Sequence, residues 1–224
     1  MTTQEFSNEF DVLYNNIMSN QAPGLSEYEK SILLTQSQES FIIDIYTGKY
    51  NDNSFEGTEE VTSYLNTLVK DVNITSTVNG EGITKYSKFY QLPDDLWYIT
   101  YESVILNDSN LGCKDGCIAI VKPTTQDEVY SINRNPFRGA NDKRVLRLIK
   151  DNKSEIISKY NISSYHIRYI SKPSPIILED LSSYGTSIEG VTEVTECKLN
   201  PASHRIILNR AVQLAKTLWV SGNQ

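Results

Sequence analysis

Two histidines, three cysteines and four adjacent pairs of acids are the residues from which this chain could build chemistry. A nucleophilic triad needs an imidazole within reach of a hydroxyl or thiol. His166 lies in a strand-like run whose opposite face carries Tyr165, Ile167 and Tyr169. His204 lies in the first turn of a helical run, beside Arg205. Neither belongs to a catalytic motif, since G-x-S-x-G, H-E-x-x-H and Walker loops are all missing from the sequence. Both histidines read as structural.

Cys113 and Cys117 have a C-x3-C spacing inside a hairpin-like stretch. With Cys197 and one histidine they could form a three-cysteine, one-histidine zinc site. The second tight pair that such sites use is missing, so no metal or cofactor is expected, and a metal-dependent enzyme is the weaker alternative. The paired acids Glu59-Glu60, Asp94-Asp95, Asp127-Glu128 and Glu179-Asp180 fall at helix starts and turns. Acids are favoured there by caps and the helix dipole, whereas glycosidase or two-metal chemistry needs them convergent.

One stretch suggests binding instead. Arg134, Arg138, Lys143, Arg144 and Arg147 form a local basic region in an acidic chain, with Phe137 set between Pro136 and Arg138. Arginine and aromatic side chains are favoured in protein interfaces. These six residues are the candidate interface, and no catalytic residue is assigned.

The elements that must carry them follow from periodicity. Phe6, Phe10, Leu13, Tyr14 and Ile17 mark one helix over 4–19. Ser26 and Glu29 form a capping box that opens a second helix, ending near Tyr46. Thr58 caps a third, with Val61, Tyr64, Leu65, Leu68 and Val69 as its buried face. From Asn73 the texture becomes β-branched and aromatic. Strands are expected at Ile83–Gln91, Leu96–Leu106, Cys117–Lys122, Arg144–Ile149, Ile156–Lys159, Tyr165–Ser171 and Ile176–Leu178. Asn79-Gly80 and Asp108–Gly112 read as turns. Thr125 and Glu128 predict a short capped helix through Ile132, and Asn135–Gly139 a turn. Residues 179–196 read as an exposed loop or hairpin. Asn200 and Pro201 open a final helix with Ile207, Ala211, Leu214, Ala215 and Leu218 inward.

The expected fold is therefore α+β, with N-terminal helices, a strand-rich centre and a C-terminal helix. The expected divisions are 1–72, 73–198 and 199–224, the last packing on the core. There is no βα alternation and no internal repeat. A chain of 224 residues with 39% hydrophobic and 22% charged residues can bury a core without metal or disulfide staples. Its net charge of −7 argues against gripping nucleic acid over the whole surface. The first residues carry neither a basic start nor an apolar run, and no stretch is long enough to span a bilayer, so no membrane is expected. The odd number of cysteines suits reduced thiols and folding inside a cell. Fourteen tyrosines suit contact surfaces as well as a core.

Several stretches resemble structural proteins of the crAss-like bacteriophages of gut Bacteroides. They are Glu27-Tyr-Glu-Lys-Ser-Ile-Leu-Leu-Thr-Gln-Ser-Gln-Glu39, Phe55-Glu-Gly-Thr-Glu-Glu-Val61, the segment Pro123–Gly139, and the ending His204–Lys216. The likeness touches the start, middle and end of the chain. It implies a virion protein of a short-tailed phage, made in the host cytoplasm and located in the neck or tail. The role it implies is a ring-forming head-to-tail adaptor beneath the portal, extending the DNA channel. The implied partners are further copies in a twelvefold ring, the portal protein, other neck and tail ring proteins, and genomic DNA passing nearby without specific binding. Another neck or tail component is the alternative. None of the matching segments carries catalytic chemistry.

Overall fold

The computed structural model describes residues 1–18, 24–50 and 56–222. The chain folds as two compact units, one comprising residues 1–68 and 173–224 and the other residues 69–172. The fold is α+β, as the sequence predicts, with helices at both chain ends and a sheet between them.

The first unit holds α1 (Thr3–Met18), α2 (Glu27–Tyr46), α3 (Glu59–Leu65) and α5 (Pro201–Gly222), and α2 packs against both α1 and α5. Its core is Phe6, Phe10, Leu34, Phe41, Ile42, Ile45, Leu65, Ile207 and Ala211, all fully buried. The capping box forms as expected, with Ser26 accepting from the Glu29 amide and the Glu29 carboxylate accepting from the Ser26 amide at 2.8 Å. α2 is buried on its polar side too, because it docks the returning chain. The Ser31 hydroxyl accepts from the Leu178 amide at 3.0 Å, and Thr35 accepts from the Ile176 amide at 3.1 Å. Gln38 donates to the Ser174 carbonyl at 3.0 Å. These bonds satisfy a backbone that would otherwise be buried unpaired.

The second unit is a seven-stranded sheet in the order β1-β7-β3-β4-β5-β6-β2. The strands are β1 (Val69–Ile74), β2 (Ser87–Gln91), β3 (Leu96–Leu106), β4 (Ile118–Pro123), β5 (Arg144–Lys150), β6 (Lys153–Ile157) and β7 (Ile162–Ser171). Neighbours are antiparallel except β4 and β5, and parallel pairing requires a crossover, which here contains α4 (Val129–Arg134). The sheet curls strongly. β1 is one edge strand and β2 the other, yet four residues after Ile74 the chain bridges Val78 to Phe89 of β2. Four extended residues span only about 13 Å, so the two edges lie close. Tyr90 of β2 and Tyr165 of β7 accordingly meet across the interior, ring centroids 5.3 Å apart.

Five local expectations shift. Val69 leaves the third helix and begins β1, where it pairs with Ile170, because a 3-10 turn at Asn66–Leu68 ends the helix first. The strand expected from Ile83 starts only at Ser87, and β6 runs over Lys153–Ile157 rather than Ile156–Lys159. The Asp151-Asn152 pair sets that register, both residues having left-handed φ (50° and 57°) in a two-residue hairpin turn. Thr125 and Glu128 form no capping box, since the helix starts one turn later at Val129 and Glu128 caps it without a side-chain bond. Ile176–Leu178 forms a single bridge, Ile177 to Thr195, rather than a strand. Residues 179–196 form the expected, largely exposed loop, anchored at Leu181 and Ile188, which are buried against Tyr28 and Ile32 of α2.

Candidate assembly interface

The basic segment forms a laced loop at the end of α4. The Asn135 side-chain oxygen accepts from the Phe137 amide at 2.9 Å and the Arg138 amide at 3.2 Å. Its carbonyl accepts from the Gly139 amide at 2.7 Å. A Cβ at Gly139 would stand 2.7 Å from the Asn133 carbonyl oxygen, so only glycine closes this turn without displacing backbone. Asn141 accepts from the Lys143 amide at 2.9 Å, and the Arg144 guanidinium donates to the Phe137 carbonyl. With its backbone fixed in this way, the loop presents Phe137 at 84% exposure and holds Arg138 in solvent.

The six expected interface residues therefore divide. Arg134, Phe137, Arg138 and Lys143 are exposed around one loop, and Arg144 is half-buried and braces it. Arg147 points the other way. Its side chain is 12% exposed and lies 3.3 Å from the equally sheltered Glu102 carboxylate inside the sheet. β5 explains the split, since successive side chains alternate faces.

The other residues with chemical potential are held in structural positions. His204 packs on Phe6, and its Nε2 lies 3.0 Å from the Leu199 carbonyl; burial pushes its pKa below the ordinary value, against the pull of that carbonyl. His166 lies on the outer face of β7, 3.3 Å from Asp71. Cys113 is exposed, Cys117 half-buried and Cys197 buried, the last in the helical unit. Among the described residues no group of three or more His, Cys, Asp or Glu is arranged to hold a metal ion. No helix among them is long and apolar enough to cross a membrane.

Charge is divided between the units. Residues 69–172 carry 15 Lys and Arg against 12 Asp and Glu, a net of +3. The rest of the chain carries 6 against 16, a net of −10. The acids Glu179, Asp180, Glu189 and Glu193 are all exposed on the returning segment. Glu189 is held out on a tight turn with Gly190, the two residues having φ of 53° and 80°.

Sequence reasoning missed a second surface, the outer face of β3 and β4. Ile105, Ile118 and Ile120 are 39%, 65% and 51% exposed there. The signal was present in Ile118-Ala-Ile-Val121, which is apolar on both faces, whereas a strand with one solvated face should alternate apolar and polar residues.

Comparison with known proteins follows the same lines. The family model described as phage tail ring protein 3/4 matches residues 1–222. Ring protein 3 of Bacteroides phage crAss001 is 51% identical over 219 residues, covering 96% of this chain and 95% of that protein. Ring protein 4/5 of the same phage is 38% identical over 232 residues, covering 98% and 94%.

Proposed function

Because this chain belongs to the phage tail ring protein 3/4 family, a family of virion structural proteins and not of enzymes, we propose that it forms one ring of the head-to-tail connection of a crAss-like phage. In this reading the ring lies beneath the portal and continues the DNA channel. Copies meet head to tail around a twelvefold axis, with the portal and other ring proteins as axial neighbours. The family match over residues 1–222 supports the ring assembly on which this reading builds.

The charge division supports it physically. A closed ring needs a heterologous contact, in which one surface of each copy meets a different surface of the next. A unit of net +3 and a unit of net −10 in one chain supply two unlike surfaces. The Asn135–Lys143 loop faces the acids Glu179, Asp180, Glu189 and Glu193 of the adjacent copy. A net charge of −7 also suits a channel wall, because a strongly cationic lining would hold DNA phosphates and stall passage.

The family's description as a tail ring favours a second reading, a ring set further along the tail and away from the portal. Mixing the purified chain with purified portal dodecamers or with the neighbouring ring proteins separates the two. Co-sedimentation with the portal supports the adaptor. Binding only to other ring proteins supports the tail position.

A further inference from the structure

We propose that the uncovered outer face of β3 and β4, centred on Ile105, Ile118 and Ile120, is the apolar centre of the contact between copies, and that its occupant is the acidic 179–196 segment of the adjacent copy. The inference rests on the ring reading and adds the surface on which the ring closes.

The register puts these residues together. Ile105 pairs with Ile118, and Ser103 pairs with Ile120, so the three isoleucines share one face of two adjacent strands. The inner face of the same strands is complete without them, with Val104, Leu106, Ala119 and Val121 buried in the sheet interior. On β5 and β6 the outer face is covered, because Val129 at the start of α4 packs on Leu146, Leu148 and Ile157. The cover stops there, and three β-branched apolar side chains are left facing water. Contiguous apolar patches of this kind mark binding surfaces more often than isolated exposed residues do.

The rim identifies the occupant. Arg144 is the strand neighbour of Ile120, and the Lys143 carbonyl accepts from the Ile120 amide at 2.9 Å. Lys122 follows on the same face of β4 and is exposed. An apolar centre with a cationic rim fits a surface that is apolar and acidic. Residues 173–197 contain five acids and no Lys or Arg. Tyr184 and Val194 are 64% and 50% exposed among those acids. The two surfaces lie on different units of one chain, so each copy offers both and a ring uses each once.

Zero-length carbodiimide crosslinking of purified virions tests this, because the reagent joins lysine to carboxylate only in direct contact. The expected result is a dimer of this chain in which Lys122 or Lys143 is joined to an acid of 179–196. Dimers joined only elsewhere, no dimer at all, or these lysines joined to a different virion protein overturn the proposal. A competition assay supplies the second measurement. Ile120→Glu should enter assembled rings about tenfold less well than wild type, and Lys143→Glu should be impaired in the same direction, both with unchanged circular dichroism. Entry of both at the wild-type level overturns the proposal while the ring reading stands. A wild-type chain found in no ring overturns that reading itself.

Discussion

Inside the curled sheet, the Tyr165 hydroxyl of β7 donates to the carboxylate of Glu102 on β3. Arg147 of β5 stands 3.3 Å from the other carboxylate oxygen, and the Ser154 hydroxyl of β6 donates to the Tyr165 oxygen at 3.2 Å. Four strands thus share one buried polar network in an otherwise apolar interior. Burial raises the pKa of Glu102, against the opposing effects of Arg147 and of the tyrosine hydrogen bond.

Removing one charge from this network should leave the other sheltered and uncompensated. Arg147→Met strips the counter-charge from Glu102, whose ionised form burial already disfavours. The expected cost is roughly 3–5 kcal/mol of unfolding free energy, measured by urea denaturation. A loss of under about 1 kcal/mol would mean that the guanidinium is solvated and not held by Glu102.

The same carboxyl fixes a pH dependence. The folded chain holds the Glu102 proton more tightly than the unfolded chain, where the ordinary value is 4.5. Its stabilising contribution is therefore complete below that pH and is lost as pH rises through the folded value. Urea denaturation across this window should show wild type losing stability relative to Glu102→Gln as pH increases. A parallel pair of curves would contradict the assignment.

Thiol reactivity should follow the three cysteine environments. Cys113 is exposed, while the half-buried Cys117 thiol lies 3.4 Å from the Asp142 carbonyl oxygen. Cys197 is buried, donates to Gln38 at 3.2 Å, and has its pKa pushed up to about 11 by burial. Thiolates are the reactive form, so iodoacetamide at pH 8 should label Cys113 first and Cys197 only on unfolding. Mass spectrometry of the labelled peptides reads the order. Early labelling of Cys197 would show that the returning segment opens from α2.

The basic loop should matter for assembly and not for folding. Arg138→Glu with Lys143→Glu changes two exposed side chains and should leave the thermal midpoint nearly unchanged, as surface substitutions do. Entry into rings should fall about tenfold or more, because like charges would then face the acids of the next copy. Normal entry would exclude this loop from the contact.

Much of this was legible in the sequence where a local rule decides the outcome. Ser26 and Glu29 announce α2 by their spacing, and Asn200-Pro201 announces α5; both form there. The alternation of β3 gives its limits, Leu96–Leu106, residue for residue. The losses come where long-range pairing decides. Val69 could end a helix or start a strand by its own preference, and the partner Ile170, about 100 residues away, selects the strand. The inward turn of Arg147 depends on Glu102, which no local window contains. The outer isoleucines were readable as strand residues, but their exposure depends on where α4 stops covering the sheet.

The most direct measurement is a cryo-electron microscopy reconstruction of the intact virion neck and tail, with this chain fitted to the density. The account predicts a closed ring around the DNA channel next to the portal, with 69–172 of each copy against the acidic helical unit of the next. A virion in which this chain forms no ring, or in which its copies meet through identical surfaces, would contradict it.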